Sequence, residues 1–242
     1  MTREERGALV ILAKAPIAGQ VKTRLCPPLT PDEAATLHGT FLLDILERTK
    51  AAIGKFKLPL DRYLACAPSS AHVFFKIMEE RHGVRLIDQE GEELGARMHH
   101  AFERLFKQGN QFVVLVGADV PTLPLEHYQQ AVYLLMTNDL VIGPAHDGGY
   151  FLIGLKRPVP ELFADIPWST ELVLSLTQEK ANRLCLQTAH LPSWRDCDTT
   201  DDLTALIEAS RLDAKRPKKE QVFSSRTAGA LQLIAKRLRA RA

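Results

Sequence analysis

Two short runs of almost unbroken apolar residues, Ala8-Leu9-Val10-Ile11-Leu12-Ala13 and Phe112-Val113-Val114-Leu115-Val116, constrain this chain more than any other feature. A strand wetted on one face alternates polar and apolar residues. One without polar positions has both faces covered, as inner strands of a parallel sheet do between two helix layers. Thr30-Pro31-Asp32-Glu33 then supplies an N-cap, a proline at the first helical position and an acid three residues after the cap. Ala34, Leu37, Phe41, Leu42 and Ile45 follow at every third or fourth position, which predicts a helix over about 31–52 with one stripe on the sheet.

The alternation continues. Strands are expected near 63–66 and 84–87, and helices near 70–81, 94–107 and 124–136. Leu140-Val141-Ile142-Gly143 and Tyr150-Phe151-Leu152-Ile153-Gly154 predict further strands, one of them antiparallel. Beyond them the reading is a helix near 170–181, a strand at 183–186 and a helix over about 200–211 capped by Thr199. The expected fold class is α/β: a single-domain, three-layer, Rossmann-like arrangement around a mixed, mainly parallel sheet.

Charge divides the chain unevenly. From Arg211 onward ten Lys or Arg face two acids, a local charge of +8, while the remainder carries −6. Such a tail attracts nucleic acid or an anionic membrane, yet Leu231, Ile234, Ala235 and Leu238 have the spacing of a helix docked on the body. Residues 1–210 are therefore read as the α/β domain and 211–242 as a basic helical extension packed on it. No apolar stretch reaches the roughly 20 residues that span a bilayer. The start, Met1 to Arg6, is charged, and Cys26, Cys66, Cys185 and Cys197 form neither a CxxC pair nor a zinc pattern. The expectation is a cytoplasmic protein with reduced thiols.

Three segments carry groups suited to chemistry. The loop after the first strand, from Lys14 through Gly19 to Lys22 and Arg24, places three cations around one glycine, which suits a diphosphate held by point charge and bidentate contacts. It has neither the GxxxxGK[ST] nor the GxGxxG pattern. Asp119 leaves the second apolar strand between Gly117, which permits close approach, and Pro121, which stiffens the turn. A carboxylate so placed holds Mg2+ or Mn2+, ions that bridge phosphate oxygens and keep several waters, so one or two protein carboxylates suffice. Asp198, among the acids Asp196, Asp201 and Asp202, is chosen as the second ligand. In Gly143 to Leu152, Gly148 and Gly149 form either a plain hairpin turn or an acceptor loop in which Asp147 orients or deprotonates an attacking hydroxyl, with His146 nearby. The other histidines read as surface or core residues. No serine sits in a GxSxG setting, which argues against a hydrolase triad.

Together Ala13-Lys14-Ala15-Pro16, Val21-Lys22-Thr23-Arg24-Leu25, Leu94-Gly95-Ala96-Arg97-Met98, Gly117-Ala118-Asp119-Val120-Pro121, Gly143 to Gly154 and Asp196-Cys197-Asp198-Thr199 resemble the nucleotide-diphospho-sugar transferase superfamily with the glycosyltransferase A fold. Within it they resemble a bacterial group of proposed glycosyltransferases related to phospholactate guanylyltransferases. The resemblance spans about residues 8–210. It implies that Lys22 and Arg24 contact phosphates, that Leu94 to Arg97, with Gly95 and Arg97, lie beside the base or ribose, and that Asp119 and Asp198 hold the metal. The LAxGxGxR loop of standard pyrophosphorylases is absent, and Asp119 is not part of a D-x-D.

The leading expectation is metal-dependent glycosyl transfer from a nucleotide sugar to a small-molecule acceptor, with Asp119, Asp147 and Lys22 as the catalytic set. The alternative is nucleotidylyl transfer from a nucleoside triphosphate to a phosphorylated acceptor. Outside enzymology, the basic tail suggests a nucleic-acid-binding module.

Overall fold

The computed structural model describes residues 6–240. The charged start before Arg6 and the last two residues of the tail lie outside the described residues. Seven strands and seven α-helices alternate in the order β1 (Gly7–Lys14), α1 (Pro31–Phe56), β2 (Leu60–Ala67), α2 (Val73–His82), β3 (Arg85–Asp88), α3 (Leu94–Lys107), β4 (Val113–Gly117), α4 (Leu125–Leu135), β5 (Leu140–Pro144), β6 (Tyr150–Leu155), α5 (Val173–Arg183), β7 (Thr188–His190), α6 (Thr200–Asp213) and α7 (Ser225–Ala240). They form one sheet in the order β3-β2-β1-β4-β6-β5-β7. All pairings are parallel except those of β6 with β4 and with β5, so the expected antiparallel strand is β6.

The apolar runs behave as strands covered on both faces. Leu9 and Ile11 of β1, with Val114 and Val116 of β4, pack against Leu42, Ile45 and Leu46 of α1, Phe75 of α2 and Tyr128 of α4. Ala8, Val10, Val113 and Leu115 point the other way, onto Met98, Phe102 and Leu105 of α3 and Ala181 of α5. Each large side chain fully buried in this way contributes about 1.5–3 kcal/mol, which is why the two strands without polar positions lie inside the sheet.

Helix α1 begins where the residues around Thr30 predict. Thr30 Oγ1 accepts from the Glu33 amide, and the Glu33 carboxylate accepts from the Thr30 amide. Thr199 and Asp202 make the same reciprocal cap for α6. The strand expected at 183–186 is a correction. Arg183 is the last residue of α5, Cys185 turns the chain with φ 54°, and the strand starts at Thr188. Leu184 and Leu186 owe their apolar character to packing against the α5 side of the core.

A third, smaller core lies beyond the sheet. Leu25, Leu37 and Phe41 meet Leu203 and Ile207 of α6 and Leu231, Ile234 and Ala235 of α7. The helix is pinned to α1 by polar contacts too. Asp44, whose side chain is 3% exposed, accepts from Ser224 Oγ (2.8 Å), Thr227 Oγ1 (2.5 Å) and Arg226 Nη1 (2.9 Å), while Arg226 also reaches Glu47 and Arg237 pairs with Glu33. Arg226 and Arg237 of the basic tail are thus paired with acids of α1. Among the described residues no helix is long and apolar enough to cross a membrane.

Candidate functional site

The strand order itself creates a cleft. From β1 the chain winds outward through β2 and β3, then returns to place β4 on the other side of β1, so the connections leaving β1 and β4 diverge to opposite sides. In an open α/β sheet this divergence leaves a crevice at the carboxyl ends of the strands. Leu12 of β1 stands beside Gly117 of β4 at that edge, and the cleft there has a volume of about 960 Å³. Its walls hold Lys14, Lys22, Arg24, Arg97, Gly117, Asp119, Asp147, Gly149 and Asp198 from the sequence-expected set. Gly19, Gly95 and Gly148 are not on the walls. Gly19 is a turn with φ 78° and open space around it, whereas the other two shape the walls from behind. A Cβ on Gly95 would lie 2.4 Å from the Trp168 indole nitrogen, and one on Gly148, which has φ 86°, 2.3 Å from the Glu171 carbonyl oxygen. Both glycines let the 168–171 segment close on the cleft.

Asp119 and Asp198 come together from distant parts of the chain. The Cys197 amide donates to the Asp119 carbonyl oxygen (3.2 Å), which joins the two loops through their backbones. Asp202 holds the other side: its carboxylate accepts from the amides of Asp198 and Thr199 while capping α6. Between the two carboxylates lies the ammonium of Lys22, 2.5 Å from Asp119 Oδ1, 2.8 Å from Asp198 Oδ1 and donating to the Cys197 carbonyl oxygen at 2.7 Å. Lys22 adopts left-handed backbone geometry, φ 50° and ψ 35°, and its side chain is 3% exposed. Burial by itself would lower its pKa; the carboxylates of Asp119 and Asp198 outweigh that and hold it well above the ordinary lysine value. Burial pushes Asp119 upward in turn, and Lys22 and His38 bring it below the usual carboxylate range.

Other acids crowd the same wall. Asp196 is pushed up to about 7 by burial, then by Asp147, Asp198 and Asp119. Asp147 is exposed, and its Oδ1 accepts from the Gly149 amide (2.9 Å), so it closes the β5–β6 turn and also faces the cleft. The hairpin and acceptor-loop readings of this segment are compatible. His146 is exposed and not part of the lining. The Arg97 guanidinium is bonded to the carbonyls of Gly91 (2.9 Å) and Glu92 (3.4 Å), which makes it a brace for the loop before α3.

A hard divalent cation suits this donor set. Two carboxylate oxygens already converge on one positive charge, and Asp119 Oδ1, though buried, has no well-aligned hydrogen-bond donor despite its ion contact with Lys22. Asp119 and Asp198, 39% and 38% exposed, leave room for waters and phosphate oxygens, as Mg2+ and Mn2+ require. Among the described residues no three Asp, Glu, His or Cys groups already surround a single point, which is consistent with Lys22 standing in the middle.

Sequence reasoning missed His38, Trp168 and Gln89. His38 is hidden by periodicity, because it follows Leu37 on the apolar stripe of α1. It is nevertheless 6% exposed and lines the cleft. Gln89 donates to the carbonyls of Ala13 and Ala65, both at 2.8 Å, and ties the ends of β1 and β2 together below the cleft. No local pattern marks a glutamine for that role.

A family model described as an uncharacterized protein conserved in bacteria (DUF2064) matches residues 54–170. The crystal structure of a candidate nucleotide-diphospho-sugar transferase from Desulfovibrio desulfuricans G20 is similar over 97% of both chains, at 33% identity and a TM-score of 0.82. The fold is shared with CMP:2-keto-3-deoxy-manno-octonic acid synthetase complexed with CTP (11% identity, TM-score 0.54, 87% of this chain and 99% of that one). It is shared also with the manganese complex of Rv0371C from Mycobacterium tuberculosis H37Rv (15% identity, TM-score 0.51, 84% and 99%). No curated protein matches the chain.

Proposed function

The chain belongs to the nucleotide-diphospho-sugar transferase family, and on that basis we propose that it transfers a glycosyl group from a nucleotide sugar to a small-molecule acceptor with a divalent cation, Mg2+ or Mn2+, at Asp119 and Asp198. The observation that carries this reading is the convergence of those two carboxylates on a single cation position at the floor of the cleft. When bound, the ion neutralises charge that builds on a diphosphate leaving group. Residues 1–210 form the transferase unit in this reading, and 211–242 a helical extension packed on it.

The chain's own groups divide the remaining work. Lys14 and Arg24, on the rim formed by the first loop, face the phosphates, and Lys22 would add a third cation to them if a bound ion displaced it from its carboxylates. The wall made by Leu94 and Trp168, with Gly95 behind it, borders the base and ribose, and Arg97 keeps the adjoining loop in place. Asp147, among the acids beside Asp196, orients the acceptor hydroxyl. Fixed charges at a partly dehydrated site supply most of the catalysis in such a scheme, because they need no reorganisation as charge develops.

Nucleotidylyl transfer is the second reading. It is favoured by the fold shared with a CTP-bound synthetase and by three cations that one loop brings to the cleft. Products separate the two: nucleotide sugars yielding nucleoside diphosphate support glycosyl transfer, whereas nucleoside triphosphates yielding pyrophosphate with no turnover of nucleotide sugars would overturn it. The reading of the tail as a nucleic-acid arm is weakened by the pairing of Arg226 and Arg237 with α1 acids.

A further inference from the structure

His38 holds a position that the scheme above leaves unused. Its side chain is 7% exposed, and its Nε2 lies 3.0 Å from the Lys14 carbonyl oxygen at the end of β1. A carbonyl only accepts, so Nε2 carries the hydrogen and Nδ1 of the neutral ring presents a lone pair. That lone pair has no hydrogen-bond partner. It lies 3.9 Å from Asp119 Oδ1, a buried oxygen that the Lys22 ammonium also contacts without an aligned hydrogen bond.

Two lone-pair atoms facing each other in a buried space repel unless something positive lies between them. A proton on Nδ1 is one remedy. Lys22 occupies the carboxylate side of the gap, yet no hydrogen bond joins it to the ring. A metal ion is another remedy. A buried imidazole whose far nitrogen is fixed by a carbonyl is the usual arrangement for a metal-binding histidine, because the carbonyl sets the tautomer and the ring orientation.

We propose that His38 supplies a nitrogen ligand to the cation held by Asp119 and Asp198, so that the site takes a first-row transition ion such as Mn2+ in preference to Mg2+. This rests on the reading that those carboxylates hold a cation. The preference follows from ligand chemistry: Mg2+ is bound through oxygen and parts with its waters reluctantly, whereas imidazole is a good donor to the transition ions. Lys22, which lies between the two carboxylates in the free protein, would have to withdraw for the ring and both carboxylates to reach one ion.

Pulsed electron paramagnetic resonance on the full chain with Mn2+ alone tests this without any turnover. The expected result is a coupling from directly bound 14N that becomes a 15N coupling when the protein is labelled with 15N-histidine. His38 is the only histidine among the described residues that lines the cleft, so the label reports on it even if variants fold poorly. His38→Gln should remove the coupling and reduce the Mn2+ over Mg2+ preference by about tenfold. Bound Mn2+ showing only oxygen and water ligands would overturn the role of His38 and leave the two-carboxylate site intact. Failure of the chain to bind Mn2+ at all would overturn both.

Discussion

Lys22→Met has an expected effect opposite in sign to that of losing an ordinary ligand-binding lysine. In the free protein the Lys22 ammonium lies 2.5 Å and 2.8 Å from the two carboxylates proposed to hold the cation. An ion entering between Asp119 and Asp198 meets a charge of +1 within about 4 Å unless the side chain withdraws. At that separation unit charges interact by about 1 kcal/mol in bulk water and about 4 kcal/mol near a protein surface. For a divalent ion the water-like figure doubles to about 2 kcal/mol. The carboxylates are more than a third exposed, so solvent screening makes the lower end appropriate. Removing the ammonium while keeping the length of the side chain should therefore tighten binding of Mn2+ alone by at least about tenfold. Isothermal titration calorimetry without nucleotide reads this directly. The metal-free variant should also melt earlier than the parent, since two neighbouring carboxylates lose their counter-ion, and should recover on addition of Mn2+. With a nucleotide present the sign reverses: the variant should bind the metal–nucleotide pair more weakly, because Lys22 is no longer available to the phosphates. An unchanged or weakened affinity for Mn2+ alone would refute the idea that lysine and ion compete for one position.

Three further outcomes follow from the same geometry. Gly95→Ala places a methyl 2.4 Å from the Trp168 ring. The overpacking costs about 1–3 kcal/mol against a gain of at most about 1 kcal/mol in helix propensity, so the Tm should fall by a few degrees, and a rise would show that Trp168 moves away freely. Asp196, with its pKa raised to about 7, binds more protons in the folded than in the unfolded chain between about pH 4 and 7. Its contribution to stability is thus full below the unfolded carboxylate value and declines as pH rises to about 7. Asp196→Asn should flatten that part of the Tm–pH curve for the metal-free protein, and parallel curves would refute it. Asp44→Ala strands Ser224, Thr227 and Arg226 at once. A loss of about 2–4 kcal/mol and faster proteolytic removal of α7 are expected in denaturant and limited-digestion experiments, whereas wild-type resistance would show that the apolar contacts of α7 hold it alone.

How much of this the sequence displays depends on the range of the interaction. The cap at Thr30, the stripe on α1 and the doubly covered strands β1 and β4 are written in neighbouring residues, so the sheet and the position of Asp119 at its edge are legible. Asp198 is legible only with the family resemblance beside it, because its approach to Asp119 depends on a backbone bond from Cys197 that no local pattern encodes. The place of Lys22 was out of reach: a basic residue in a loop after a strand reads the same whether it faces a phosphate or two acids. His38 is lost for a different reason, since a histidine on the apolar stripe of a helix looks like a packed residue until its unpaired nitrogen is seen. The strand near 188 is misplaced because Leu184, Cys185 and Leu186 are apolar on account of the helix end and turn they occupy, and not through strand pairing.

The carboxylate of Asp202 serves two masters. It receives the amides that begin α6 and also the amide of Asp198, whose side chain faces Lys22. Fraying of the first turn of α6 and wandering of Asp198 are for that reason one motion. Because α6 packs on α7, and α7 is latched to Asp44 of α1, a disturbance at the far carboxyl end has a mechanical route into the cleft. The tail, conspicuous at first only for its charge, is thus joined through α6 to the carboxylate of Asp202 and so to the loop that carries Asp198.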